Sequence, residues 1–90
     1  MIMAETHLTK RETDVMEIFW AHDEDLSARD IQQYLPDITV NSIQPVLKRL
    51  QKKEYIHVSG FSQHTKSLMR VYRPLVSKAQ HIVSLMDQHT

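Results

Sequence analysis

Between Lys53 and Tyr55 the period of the hydrophobic pattern changes. Upstream, Ile43, Val46, Leu47 and Leu50 recur at i, i+3, i+4 and i+7, the spacing of one buried helix face. Downstream, Tyr55-Ile56-His57-Val58-Ser59 alternates and is rich in β-prone residues. A polar stretch over residues 60–66, around the single glycine, reads as a loop. Leu68-Met69-Arg70-Val71-Tyr72-Arg73 then alternates again until Pro74. Two short strands about a basic loop predict a β-hairpin.

Two further helices precede this switch. Thr9-Lys10-Arg11-Glu12 has the T-x-x-E form of a capping box, and Val15, Met16, Ile18, Phe19 and Trp20 follow at helical spacing. These predict a first helix over about residues 10–21, with a polar loop after it. Ser27 can cap a second helix that buries Ala28, Ile31 and Leu35 and ends before Pro36. Residues 37–39 then separate the second helix from the third, which is the spacing of a helix-turn-helix. Pro45 lacks an N–H and costs about 3 kcal/mol or more inside a helix. The third helix therefore either starts late, capped near Asn41 or Ser42, or has a kinked first turn; the kink is expected.

Beyond the hairpin, Ser77-Lys78-Ala79-Gln80 opens a last helix over about residues 77–88. Ala79, Ile82, Val83 and Met86 form its apolar stripe, with Leu85 on the margin. Trp20, Tyr34 and Tyr55 read as core, and Tyr72 as core or hairpin support. The expected fold class is mainly α with a small β-hairpin: a winged helix-turn-helix over residues 1–75 and a C-terminal helix over 76–90.

Charge is divided along the chain. Through Ile43 there are nine acidic residues against Lys10, Arg11 and Arg29. From Gln44 to Gln80 there are Lys48, Arg49, Lys52, Lys53, Lys66, Arg70, Arg73 and Lys78 against Glu54 alone. The zero net charge thus conceals a basic half, an electrostatic footprint suited to a polyanion or an acidic protein. The chain has no cysteine, which excludes disulfides and thiolate metal sites. No segment reads as a signal peptide or a membrane span, so a cytoplasmic location is expected.

Several segments resemble the penicillinase-repressor family, which includes the β-lactamase and methicillin-resistance repressors and the copper-responsive repressors. They are Leu8-Thr9 to Glu12, Val15-Met16 to Trp20, Leu26 to Ile31, Thr39-Val40 through Val46 to Lys53 and Ile56, and Val71 to Ser77. The resemblance spans roughly residues 8–80 and implies a bacterial homodimeric repressor on a palindromic operator, with the third helix in the major groove. It further implies dimerisation through a C-terminal helical region, and release from DNA by proteolysis or a metal ion. This chain departs in having one C-terminal helix, no metal-sensing cysteines, and Glu54 where a glycine is usual. Glycine commonly takes the left-handed conformation at such a helix end.

On a helical wheel the side opposite Ile43, Val46, Leu47 and Leu50 carries Asn41, Pro45, Lys48 and Lys52, flanked by Gln44 and Arg49. Asn41 and Gln44 suit adenine edges, Lys48 or Arg49 guanine or phosphate, and Lys52 phosphate; Pro45 can offer apolar contact alone. Thr39 and Ser42 border this face, and on the wing Lys66 and Arg70 are expected at phosphates. Ala79, Ile82, Val83, Leu85 and Met86 are the expected dimer interface. The six histidines show no zinc-binding spacing, and no nucleophile–base motif or phosphate-cradling glycine loop is present, so no metal, no cofactor and no enzyme activity are expected. The competing reading is a winged helix whose basic face binds an acidic protein partner.

Overall fold

The computed structural model describes residues 7–64 and 67–87, with side chains for residues 7–62 and 68–86. The elements run α1 (Lys10–Ala21), β1 (Leu26–Ser27), α2 (Ala28–Tyr34), α3 (Val40–Lys52), β2 (Ile56–His64), β3 (Ser67–Pro74) and α4 (Lys78–Asp87). The sheet is antiparallel in the order β1-β3-β2. This is a winged helix with a C-terminal helix.

Each helix start is fixed by a side-chain cap. In α1, Thr9 Oγ1 accepts from the Glu12 N–H at 3.2 Å while Glu12 Oε1 accepts from the Thr9 N–H at 2.9 Å. Ser27 and Asp30 repeat the exchange at α2, and Ser77 and Gln80 at α4. Each exchange satisfies two backbone donors that the helix itself leaves without partners.

α3 begins earlier than a proline at position 45 suggests. Its N-cap is Thr39, and the helix runs without interruption through Pro45. Of the two alternatives that Pro45 leaves open, the late start near Asn41 or Ser42 is ruled out: the Thr39 hydroxyl accepts from Ser42 N–H at 3.2 Å and secures the first turn. At its end, Glu54 N–H bonds to Gln51 O and Tyr55 N–H to Leu50 O, both at 2.9 Å. That pair of bonds is a Schellman motif, and it requires a left-handed residue at position 54. Glu54 supplies it with φ 63°, where an L side chain is strained.

The hairpin is longer than its alternation suggests. β2 continues to His64 and β3 starts at Ser67, so most of the stretch expected as a loop is paired strand. Gly60 lies opposite Val71 within the ladder, just past a bulge at Ser59, rather than in the turn. At that bulge Ser59 Oγ donates to Asp25 Oδ1 at 2.9 Å, and Arg73 Nε donates to the same oxygen at 2.8 Å. β1 escapes the sequence reading because two residues carry no period; Leu26 pairs with Tyr72 and Ser27 with Val71.

The core joins Val15, Met16 and Phe19 of α1 to Ile31 of α2, the Ile43, Val46, Leu47 and Leu50 stripe of α3, Tyr55 of the α3–β2 turn, and Ile56 and Tyr72 of the sheet. Tyr34 corrects the expectation of a core residue: it is 47% exposed and stacks on His22, with ring centroids 4.5 Å apart. α4 and the residues leading into it are held to α1 and to Tyr55 through polar and aromatic groups. Trp20 Nε1 donates to Val76 O at 2.8 Å, Lys78 Nζ to Glu17 Oε1 at 3.1 Å, and Tyr55 Oη lies 2.7 Å from His81 Nδ1. Among the described residues no helix is long and apolar enough to cross a membrane.

Candidate nucleic-acid interface

α3 separates its two faces completely. Ile43, Val46, Leu47 and Leu50 are buried, while Asn41, Gln44, Pro45, Lys48 and Lys52 are exposed. The exposed stripe is bordered on one side by the wing. Asn41, Gln44, Lys48 and Gln51 line one shallow cleft with Arg70 and Tyr72 of β3. Gln44 also shares an adjoining cleft with Leu68, Met69 and Arg70. Helix and hairpin therefore present one continuous surface.

The other border is closed by a buried ion cluster. Glu12 is fully buried, and its carboxylate accepts from Arg49 Nε at 3.0 Å and Lys53 Nζ at 2.7 Å. Burial alone would raise the Glu12 pKa, but the hydrogen bonds from Lys53, the Thr9 N–H and Arg49 outweigh it and hold the carboxyl below its ordinary value. Arg49 remains half exposed, so its guanidinium is steered toward α1 and stands at the edge of the α3 stripe.

Local pairing also explains how a chain of zero net charge presents a basic face. Asp23 and Asp25 are held by Arg73, Asp14 by Lys10 and Arg11, and Glu17 by Lys78. The Arg73 and Ser59 hydrogen bonds hold the Asp25 carboxyl below its ordinary value. Among the described residues Lys48, Lys52 and Arg70 have no ion-pair partner, and all three are exposed on the α3 side. Uncompensated cations beside amide side chains can neutralise phosphates while the amides meet base edges.

The expected site residues thus divide by position. Asn41, Gln44, Pro45, Lys48 and Lys52 lie along the exposed stripe, and Arg70 stands beside it. Thr39 and Ser42 form the exposed N-terminal cap, with Thr39 Oγ1 donating to Ser42 Oγ at 3.3 Å. Lys66 lies outside the described residues. Gln51 was not singled out from the sequence, although its place seven residues after Gln44 puts it on the same edge. On α4, Ile82, Val83 and Met86 are exposed, as is Ala79, with Leu85 half-buried. No group of His, Cys, Asp and Glu able to hold a metal occurs among the described residues.

A family model described as penicillinase repressor matches residues 8–90. The chain belongs to the penicillinase repressor family. That membership supports a DNA-binding role in transcriptional repression, and the match extends through α4, beyond the segments from which the resemblance was read. A comparison with curated proteins gives no match.

Proposed function

We propose that this penicillinase repressor family member is a sequence-specific repressor that binds a palindromic operator as a homodimer in the bacterial cytoplasm. α3 enters the major groove, with Asn41 and Gln44 at base edges, Pro45 in apolar contact and Lys48 at guanine or phosphate. Lys52, Arg49, Arg70 and Lys66 contact phosphate, and Thr39 and Ser42 bring the positive end of the helix toward the backbone. The observation that carries this reading is the exposed α3 stripe, uncompensated in charge and continuous with the wing.

Residues 76–90 act as the dimerisation element of a winged domain spanning residues 1–75. Ala79, Ile82, Val83, Leu85 and Met86 provide the interface, supported by the exposure of Ile82, Val83 and Met86 at 46–64%. A symmetric dimer covers such a stripe and couples two half-site readers.

Selection from a randomised duplex library at near-physiological salt tests the proposal. Recovery of a palindrome with half-sites about one helical turn apart is the expected result. Equal retention of all sequences, or of none, would overturn it and favour an acidic protein partner.

A further inference from the structure

The wing outruns the core. Among the described side chains, the last rung with a buried one is Gly60 opposite Val71. Four more rungs follow, from Phe61 opposite Arg70 to His64 opposite Ser67, an arm of roughly 13 Å at the usual strand rise. Residues directly opposite in an antiparallel pair emerge on the same face, as do residues two apart along a strand. Phe61, Arg70 and Leu68 therefore share one face of the arm. Leu68 and Arg70 line a cleft with Gln44, so that face continues the exposed surface of α3.

Phe61 is 63% exposed and Leu68 69% exposed. An aromatic and an aliphatic side chain, left exposed with an arginine beside them, form an unusual surface for water. The cation makes an apolar protein groove a poor match and a polyanion a good one. The minor groove satisfies all three side chains: its negative potential attracts arginine, and apolar side chains wedge between its base steps.

We infer that Phe61 and Leu68 form an apolar clamp on the minor groove flanking each half-site, with Arg70 between them and the backbone, so that the wing selects deformable flanking steps. The inference rests on the DNA-binding reading above. It adds a specificity element that contacts bases at positions α3 does not reach. Flexible pyrimidine–purine steps or A·T-rich flanks are the sequences that yield most readily to such side chains.

The test applies the randomised-duplex selection to the full chain and to a Phe61→Ala/Leu68→Ala double variant. Both side chains are exposed, so the variant keeps the core, and matching thermal melts verify this. The wild type is expected to recover a half-site core with constrained flanks. The variant is expected to recover the same core with relaxed flanks and to bind the wild-type consensus roughly tenfold more weakly, the scale of one mismatched base pair. A 2-aminopurine placed in the flank should brighten on wild-type binding, as an unstacked base does, and stay dim with the variant. Identical flanks, affinity and fluorescence for the two proteins would overturn the clamp while leaving α3 recognition intact. A wild type that selects no sequence would overturn both readings. A change in oligomeric state in the double variant, without a change in flanks, would assign the apolar pair to a second copy of the chain and also overturn the clamp.

Discussion

Arg49 Nε donates to Glu12 Oε2 at 3.0 Å, tying the flank of α3 to the first turn of α1. Lys53 completes the attachment one turn later, at 2.7 Å from the other carboxylate oxygen. The presentation angle of α3 is therefore set by a buried carboxylate as well as by its apolar stripe.

Removing that carboxylate leaves the largely buried Lys53 ammonium without its counter-charge, though still bonded to the His7 carbonyl, and opens the α1 cap. Glu12→Ala should destabilise the fold by about 3 kcal/mol, within the range for breaking a buried pair and discounted for the half-exposed Arg49. Thermal melts check this. The pH dependence has a definite sign. The folded carboxyl titrates below its ordinary value of 4.5, so its stabilisation is present above that value and fades as pH falls through the lower folded value. Glu12→Gln should show a shallower loss of stability in that acid range than the wild type; parallel acid limbs would count against the cluster.

Glu54 closes the Schellman motif in a conformation suited to glycine. Relief of left-handed strain exceeds the extra freedom that glycine gains on unfolding, so Glu54→Gly should stabilise by roughly 0.5–1 kcal/mol. Chemical denaturation would show a raised midpoint at unchanged slope. An unchanged or lowered midpoint would contradict the assignment of strain there.

Pro45 leaves the Asn41 carbonyl without its helical N–H donor, in the middle of the exposed stripe. Pro45→Ala should raise stability by about 2 kcal/mol, toward the difference between the two residues in a helix interior. The same variant should recover a different base preference in the duplex selection. A gain in stability with an unaltered preference would remove Pro45 from the reading surface.

His81 is nearly buried between Trp20 and Tyr55, with each ring centroid 5.5 Å away. Burial lowers its pKa below 6.5, while the charge of Glu17 pulls in the opposite direction, and Lys78 stands beside Glu17. The neutral ring is favoured in the fold, so stability holds above pH 6.5 and declines as pH falls through the lowered value. Melts between about pH 5 and 8 should show this decline in the wild type and lose it in His81→Phe. Superimposable pH profiles would mean that His81 does not control the seating of α4.

Much of the fold was legible because its signals are local. The Thr9, Ser27 and Ser77 capping patterns located three helix starts, and the α3 stripe identified both the core face and the outward face. Glu54 was legible through the helix end it had to close. What escaped depended on distant partners. Leu26-Ser27 becomes a strand only because Tyr72 and Val71 arrive beside it. Tyr34 looked like core, but the end of α2 leaves it against His22 near the surface. Glu12 was legible in part: it lies three, four and seven residues before Val15, Met16 and Phe19, on the buried side, yet its partners come from more than thirty-five residues away. The site followed the same division. The α3 stripe could be drawn on a wheel, whereas the redirection of Arg49 and the reach of the wing arm could not.

The bond from Trp20 to the Val76 carbonyl also has a mechanical consequence. It fastens the lead-in of α4 to the helix that carries Glu12, and Glu12 in turn grips α3. A second copy joined through α4 would then behave as the other jaw of a stiff caliper. Its tolerance for altered half-site spacing would be set by bending within these joints, with little slack from the connecting chain.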